Sequence, residues 1–314
     1  MNLLEKISYV IPCYGSEKTI EVVVDEITTT MKSNNSTYEI ILVNDNSPDR
    51  VWDVIQKLAE NDEHIIGIDL AKNFGQHAAL MAGYQQASGD VVVSLDDDGQ
   101  TPAIESMRLI ERLLEGYDVV FAEYETIRQN SFRVWGSHIN EKMAEALVNK
   151  PKDIKATSFY VARKFVIDEI LKYSHCYPYI GGLIYRTTLN IGNVKVQHRE
   201  RMYGKSGYNL RKLLKLWING FTAFSVKPLR VATVLGIICA ILGGGFAVYG
   251  IIRKLMVPTV PMGYTSIITI LLVVGGIIMM LLGMIGEYVG RIYLCINTSP
   301  QYVIRQVTKR ENQS

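Results

Sequence analysis

Two stretches in the last third of this chain carry no charge at all: Val231 to Ile252 and Tyr264 to Gly286. Each is mostly aliphatic and long enough for the roughly 20 residues that a helix needs to cross about 30 Å of hydrocarbon. Only Arg253 to Gly263 separates them, and that turn contains Pro258 and Pro261. A pair of buried helices in a soluble protein is the competing reading, which the short, proline-broken connection opposes. The pattern predicts a transmembrane hairpin with spans 231–252 and 264–286 joined by an external turn at 253–263. Arg199, Arg201, Lys205, Arg211, Lys212, Lys215, Lys227 and Arg230 precede the first run, and Arg291, Arg305, Lys309 and Arg310 follow the second. This basic excess places both ends of the hairpin, and with them both termini, on the cytoplasmic side. Arg253 and Lys254 in the outer turn pull weakly the other way.

Residues 207–230 carry the segment "YNLRKLLKLWINGFTAFSV", in which Leu210, Leu213, Leu214, Trp217, Phe221 and Phe224 recur at helical spacing while Arg211, Lys212 and Lys215 occupy other faces. An amphipathic core helix would look the same. Adjacency to a membrane span favours a helix lying in the bilayer interface, with Trp217 at its boundary. The net charge of +2 is unevenly spread, with acidic residues concentrated in the first half, which excludes a uniformly basic nucleic-acid binder. Cys13, Cys176, Cys239 and Cys295 stand far apart without a CxxC pair, so neither a disulfide framework nor a zinc site is indicated and a reduced compartment is expected. Glu5 and Lys6 interrupt what would have to be the apolar part of an export signal, so none is expected.

Residues 1–206 have a different rhythm. "ISYVIP", "YEIILVND", "HIIGIDL" and "DVVVSLD" are short β-rich runs, followed respectively by helix-length segments Glu17–Lys32, Arg50–Asn61, Gln76–Ala87 and Pro102–Glu115. Such alternation predicts an α/β domain with a mainly parallel sheet covered on both faces. Ligands bind beyond the carboxyl ends of strands in these sheets. Polar residues gather there: Pro12, Tyr14 and Glu17 after the first strand, Asp45, Asn46 and Ser47 after the second, Lys72 and Asn73 after the third, and Asp96, Asp97 and Asp98 after the fourth. No GxGxxG follows a strand and no GxxxxGK[ST] occurs, which disfavours dinucleotide and P-loop sites. In an extended segment Asp96 and Asp98 share a face while Asp97 points aside. Two such carboxylates suit Mg2+ or Mn2+, whose shell is completed by water and phosphate oxygens of a nucleoside diphosphate. Capping of the helix near Pro102 is the alternative use of the acids, though one would suffice.

Taken together, "VIPCYGSE", "VNDNSPD", "NFGQHAALMAG" and "LDDDGQTP" resemble, in order and spacing, the inverting family 2 glycosyltransferases with a GT-A, Rossmann-like fold. The later "VQHRERMYGKSGY" and "GMIGEYVGRIY" are similar to the branch that moves a sugar from a nucleotide onto a polyprenyl phosphate, such as dolichol-phosphate mannose synthases, bactoprenol glucosyltransferases and undecaprenyl-phosphate aminoarabinose transferases. The resemblance covers nearly the whole chain. It implies a UDP- or GDP-sugar donor, contacted by Pro12, Tyr14, Glu17, Asp45, Ser47, Asn73, Asp96 and Gln100, with Asp45 at the base and Asp96 and Asp98 as metal ligands. Gly15 and Ser16 stand where the family more usually has Asn-Glu. Arg128, Arg133, Ser137, Arg201 and Ser206 match positions that hold phosphates, Arg133 and Arg201 among the catalytic set; solvation of a helix face is the other reading of Arg128 and Arg133. An inner-membrane enzyme with a cytoplasmic domain at 1–206, a cytoplasmic tail at 287–314 and a homo-oligomeric, tetrameric assembly is implied as well.

One departure carries chemical weight. Many relatives have Asp-Phe on a later strand, proposed as part of the catalytic centre, where this chain reads "IKATSFYVARK" with Ser158 before Phe159. A sugar hydroxyl acceptor must lose a proton in the transition state. A phosphate monoester with a second pKa near 6 is already mostly dianionic at neutral pH, so loss of a base there favours a lipid phosphate acceptor. The expected chemistry is direct displacement of the nucleoside diphosphate by the lipid phosphate, with Asp96, Asp98 and their cation offsetting charge on the leaving group and Arg133 and Arg201 restraining the acceptor. A processive polysaccharide synthase would carry Gln-x-x-Arg-Trp, which is absent; Gln197 leads only to "QHRER". A membrane-anchored binding protein without catalysis is the remaining alternative, motivated by Ser158 and opposed by the three aspartates.

Overall fold

The computed structural model describes residues 6–124, 151, 153–175, 178–197, 199, 263–296 and 300–308, together with separate helical positions between 234 and 256. Two compact units divide the chain: Met1–Tyr208 with Thr298–Ser314, and Asn209–Asn297.

The first unit alternates strands and helices through β1 (Ile7–Cys13), α1 (Ile20–Ser33), β2 (Tyr38–Asn44), α2 (Val51–Asn61), β3 (Ile65–Leu70), α3 (Gln76–Gln86) and β4 (Val91–Ser94). It continues through α4 (Glu105–Leu114), β5 (Val119–Tyr124), β6 (Tyr160–Arg163), α5 (Lys164–Leu171), α6 (Ile180–Thr187) and β7 (Ile191–Val196). The sheet is eight-stranded, in the order β7-β5-β6-β4-β1-β2-β3-β8, where β8 is Ile304–Val307. β1 pairs in parallel with β2 and β4, β2 with β3, and β5 with β7; β6 runs antiparallel between β4 and β5, and β8 antiparallel to β3. The mainly parallel sheet expected from the alternation is thus present, with two reversed strands added.

β1 and β2 are buried almost throughout, as strands covered on both faces must be. On one face Tyr9, Ile11, Leu42 and Val93 join α1, α2 and α4 in a single core. On the other, α3 lies so close that a methyl added at Gly83 would stand 2.3 Å from Val10 Cγ1. The chain winds outward from β1 through β2 to β3 and then returns past β1 to β4. The order therefore reverses between β1 and β4, the point at which sheets of this kind bind ligands. The three aspartates begin two residues after β4. They do not cap a helix: α4 begins at Glu105 with Ile104 at its N-cap and no side-chain cap.

In the second unit, α7 (Tyr264–Ile296) is a 33-residue helix that contains the second uncharged run and continues past its expected end at Gly286. Ile267, Leu271 and Met279 are more than 60% exposed on it. Its described side chains alternate with others that are not described, and among the described residues no helix is long and apolar enough to cross a membrane. Most of the first run and all of 207–230 lie outside the described residues, although Val234, Ile238, Gly245, Val248, Tyr249, Ile252 and Met256 are helical. The segment 287–314, expected as a tail, completes α7 and then supplies β8.

At the opposite end of the sheet from the aspartates, Glu39 on β2 is nearly inaccessible and ion-paired to Lys6 Nζ at 2.6 Å. It also accepts the Ser8 hydroxyl at 2.6 Å and the Ser88 N–H at 2.6 Å, tying β1 to the turn before β4. Burial raises the Glu39 carboxyl, but Lys6, Ser8 and Ser88 outweigh it and hold the group at about 2, below its ordinary 4.5. A depressed carboxylate stabilises the fold above its unfolded value, and that contribution fades as pH falls from about 4.5 to about 2. Glu39→Gln is therefore expected to cost roughly 2 kcal/mol at neutral pH and to flatten the acid limb of the stability curve, as measured by urea denaturation between neutral pH and pH 3.

Candidate active site

Four loops leave the carboxyl ends of β1 to β4, and each turns through one residue in the left-handed region: Gly15 (φ 75°), Asn46 (φ 47°), Gly75 (φ 91°) and Gly99 (φ 68°). At Gly75 an added Cβ would meet nothing within 4 Å, so the requirement there is one of backbone conformation rather than space.

The aspartates at the reversal point separate by partner. Asp97 Oδ2 accepts the Tyr14 N–H at 2.8 Å, and its backbone carbonyl accepts the Thr19 hydroxyl at 2.7 Å, so the middle acid fastens the β1 loop to the β4 loop. Burial pushes its carboxyl up to about 6, with the Asp96 and Asp98 charges adding to the rise against the Tyr14 hydrogen bond. Asp96 Oδ1 accepts from Gln76 Nε2 at 3.0 Å, and its other oxygen accepts the Ser158 hydroxyl. Asp98 Oδ1 accepts the backbone N–H of Gln100 at 3.1 Å, while Gln100 Nε2 reaches the Arg199 carbonyl at 3.3 Å.

The place of Ser158 follows from register. β6 pairs with β4 as Val91↔Arg163 through Ser94↔Tyr160. Two residues beyond Ser94 is Asp96, and two before Tyr160 is Ser158, so continuing the ladder sets one opposite the other. A carboxylate at 158 would meet Asp96 directly; this chain presents a hydroxyl whose proton is given to Asp96. Tyr124, the last residue of β5, comes to the same acids: burial first, then the Asp96 and Asp98 charges, push its phenol up to about 12.

Beyond the aspartates lies a second cluster. Asp45 is almost fully buried, and its oxygens accept the N–H groups of Phe74 at 2.7 Å and Gly75 at 2.8 Å. Asn73 Nδ2 reaches the Asp45 carbonyl at 3.2 Å, and the Lys72 ammonium lies 4.9 Å from the Phe74 ring centre. Ser47 Oγ accepts the Gly15 N–H at 2.8 Å and donates to Asp49 Oδ1 at 2.6 Å; Asp49 Oδ2 accepts the Glu17 N–H at 2.9 Å. Glu17 in turn accepts the Arg50 N–H at 3.3 Å. Pro12 is half-buried at the end of β1, and the exposed Tyr14 side chain stands beside it.

Of the described donor-side residues, Pro12 ends β1 and Tyr14, Glu17, Asp45, Ser47, Asn73, Asp96, Asp98 and Gln100 follow the four strands; hydrogen bonds at Tyr14, Glu17, Ser47, Asn73 and Asp96 reach from one loop to a neighbouring element. Arg128, Arg133, Ser137, Arg201 and Ser206 lie outside the described residues. Gln76, Asp49, Tyr124 and the Asn44–Asp69 pair were not singled out from sequence. Gln76 alone had a signal, as the polar first residue of a helix following a site loop.

Among the described residues no three His, Cys, Asp or Glu side chains converge as a ready-made metal cage. The donor set nevertheless fits Mg2+ or Mn2+, since these hard cations take one or two carboxylates and draw remaining oxygens from water and phosphate. Hydrogen bonds to Asp96 from Gln76 and Ser158 are of the kind that orient a ligating carboxylate.

Comparison with known proteins gives likenesses of three kinds. The sequence model for Glycosyl transferase family 2 matches residues 8–173, and that for the GtrB C-terminal hairpin matches residues 227–292. Undecaprenyl-phosphate 4-deoxy-4-formamido-L-arabinose transferase of Proteus mirabilis (strain HI4320) is 33% identical, covering 97% of this chain and 94% of the relative. The protein of that name from Yersinia pestis bv. Antiqua (strain Angola) is 32% identical, covering 98% and 95%. Glucosyl-3-phosphoglycerate synthase from Mycobacterium tuberculosis, solved with Mn2+ and UDP-glucose, superposes with a TM-score of 0.52 at 20% identity over 69% of this chain and 77% of that one, a likeness of fold.

The Asp45 cluster makes its own prediction. Asp45→Asn leaves one of the two loop amides facing a donor in place of an acceptor, and amide hydrogen exchange at Phe74 and Gly75 is expected to accelerate about tenfold or more, with the β1 and β2 amides unchanged.

Proposed function

Because the chain belongs to glycosyltransferase family 2 and is a glycosyltransferase, we propose that it moves a sugar, with inversion, from a nucleoside-diphosphate donor to a polyprenyl phosphate at the cytoplasmic face of the inner membrane. The observation that carries this reading is the pairing of Asp96 with Ser158.

In this reading the donor lies on the loops at the β1–β4 reversal. Asp45, Asn73, Ser47 and Glu17 shape the nucleoside end, and Asp96 and Asp98 hold Mg2+ or Mn2+ at its diphosphate. When bound, the cation offsets negative charge developing on the leaving diphosphate. Gln76 and Ser158 hold Asp96 at its position, and Asp97 keeps the β1 and β4 loops together. UDP is preferred over GDP because two-span members of the resembling branch commonly use it.

The acceptor assignment rests on proton accounting. At the position where many family members carry a carboxylate, the described hydroxyl already donates its proton to Asp96. No base stands there to deprotonate an acceptor, and a phosphate monoester, dianionic above a pKa of about 6, needs none. The names of the relatives, undecaprenyl-phosphate transferases, support the same acceptor class. Arg128, Arg133, Ser137, Arg201 and Ser206 are the residues proposed to hold its phosphate.

Chain topology supports the membrane part. β8 is hydrogen-bonded into the same sheet as β1 to β4, so the residues before and after the uncharged runs lie on one side of any bilayer, and the number of crossings between them is even. Two spans, 231–252 and 264–286, satisfy that condition, with 207–230 in the interface.

The test supplies the membrane-extracted full chain with labelled UDP- or GDP-sugars and undecaprenyl phosphate, with and without chelator. Label is expected in a mild-acid-labile lipid only with divalent metal, and Asp98→Asn is expected to lose on the order of 100-fold or more in rate while keeping its expression. Polymeric product points to a synthase, and no transfer across the donor panel overturns the reading. A second expectation concerns pH. kcat/KM for the lipid should rise with unit slope up to the acceptor's second pKa of about 6 and be flat above it, and Ser158→Ala should lower the plateau without moving the inflection.

A further inference from the structure

β8 meets β3 irregularly. Ile68 pairs with Val307 and Asp69 with Gln306, but Leu70 pairs with Ile304, so Arg305 is the extra residue of a bulge. Bulges re-aim a side chain out of the regular alternation. Here the guanidinium turns along the edge toward the carboxyl end of β3: Nη1 donates to Asp69 Oδ2 at 3.1 Å and Nη2 to the Ala71 carbonyl at 2.8 Å.

Asp69 is a buried carboxylate, and its other oxygen accepts Asn44 Nδ2 at 2.7 Å. Asn44 Oδ1 in turn accepts the Ser47 N–H at 3.0 Å, and Ser47 Oγ accepts the Gly15 N–H. From Arg305 a continuous run of hydrogen bonds therefore reaches the loops after β3, β2 and β1. Ala71, the second guanidinium contact, begins the loop whose amides at Phe74 and Gly75 are held by Asp45. Around Arg305, the Ala71 N–H donates to the Val303 carbonyl at 2.8 Å and the Thr308 N–H to the Gly67 carbonyl at 2.9 Å, so the backbone pairing of β8 does not depend on the guanidinium.

We infer that Arg305 is a positioning residue for the nucleotide: from beyond the uncharged hairpin it holds the β3 loop and, through Asp69 and Asn44, the β2 loop in the geometry that binds the nucleoside diphosphate. This rests on the reading of the four loops as the donor subsite. The guanidinium touches neither donor nor acceptor. Its two functions are separable, because a lysine keeps the charge for Asp69 but has no planar fork with which to reach the Ala71 carbonyl as well.

The experiment measures UDP and GDP binding in the presence of Mn2+, thermal midpoints, and the donor KM, acceptor KM and kcat for the full chain in detergent. Wild type, Arg305→Lys and Arg305→Ala are compared. Arg305→Lys is expected to keep the thermal midpoint and to weaken nucleotide binding several-fold; Arg305→Ala should weaken it about tenfold or more. Donor KM should rise in step while acceptor KM and kcat stay within about twofold. If both variants bind nucleotide as wild type does, or if affinity falls only as far as the folded fraction falls, the assignment is wrong and Arg305 serves the edge alone. If wild type itself binds neither UDP nor GDP, the donor-subsite reading fails and this inference with it.

Discussion

Carboxylates on successive residues repel one another, and the loops at the end of β4 are arranged by that repulsion. Each of the three acids takes its donors from a different part of the chain: Asp97 from the β1 loop, Asp96 from the head of α3 and the approach to β6, Asp98 from its own turn at Gln100. Satisfying them separately links the ends of elements that the sheet already sets side by side. Burial, with a smaller contribution from the Asp96 and Asp98 charges, raises the Asp97 carboxyl. In the proposed reading, a divalent cation with a diphosphate supplies the counter-charge for Asp96 and Asp98.

The antiparallel strand β6 gives this arrangement its chemical character. Inserted between β4 and β5, it carries its N-terminal approach past the end of β4, and register alone decides which residue faces Asp96. A carboxylate there would repel Asp96 or share a proton with it. A serine instead spends its one proton on holding Asp96. The exchange replaces a potential base with a hydroxyl that fixes Asp96, which suits the ionised acceptor proposed above.

The early strands were legible because each is a compact apolar run bounded by turn residues. Helix starts were less so. α1 begins at Ile20 rather than Glu17 because Ser16 to Thr19 forms a turn, the Thr19 and Ile20 N–H groups both reaching the Ser16 carbonyl, and α4 waits until Glu105 because Pro102 initiates another. β5, β7 and β8 left little local trace; β8 in particular is four residues, mostly exposed, and exists because of a partner more than 230 positions away. The same distinction holds in the site. The aspartates announce themselves as a run, whereas the roles of Gln76, Asp49 and Asn44 depend on which strand ends lie side by side. Sequence spacing does not carry that information. Asp45 looked like a ligand contact and is also the residue whose two oxygens hold a loop, a role visible only once Phe74 and Gly75 are placed.

The final strand also has a bearing on biogenesis. β3 is left as an open edge until Ile304 to Val307 pairs with it, and an unpaired edge is a template for association with other chains. Those residues are made only after both uncharged runs. A nascent chain thus exposes a mainly parallel sheet with one raw margin throughout synthesis of the two uncharged runs. Sealing of that margin, and with it the seating of Arg305 beside Asp69, waits until β8 itself has been made, so that a product truncated before Ile304 is left with a sheet prone to capture by chaperones, proteases or its own kind.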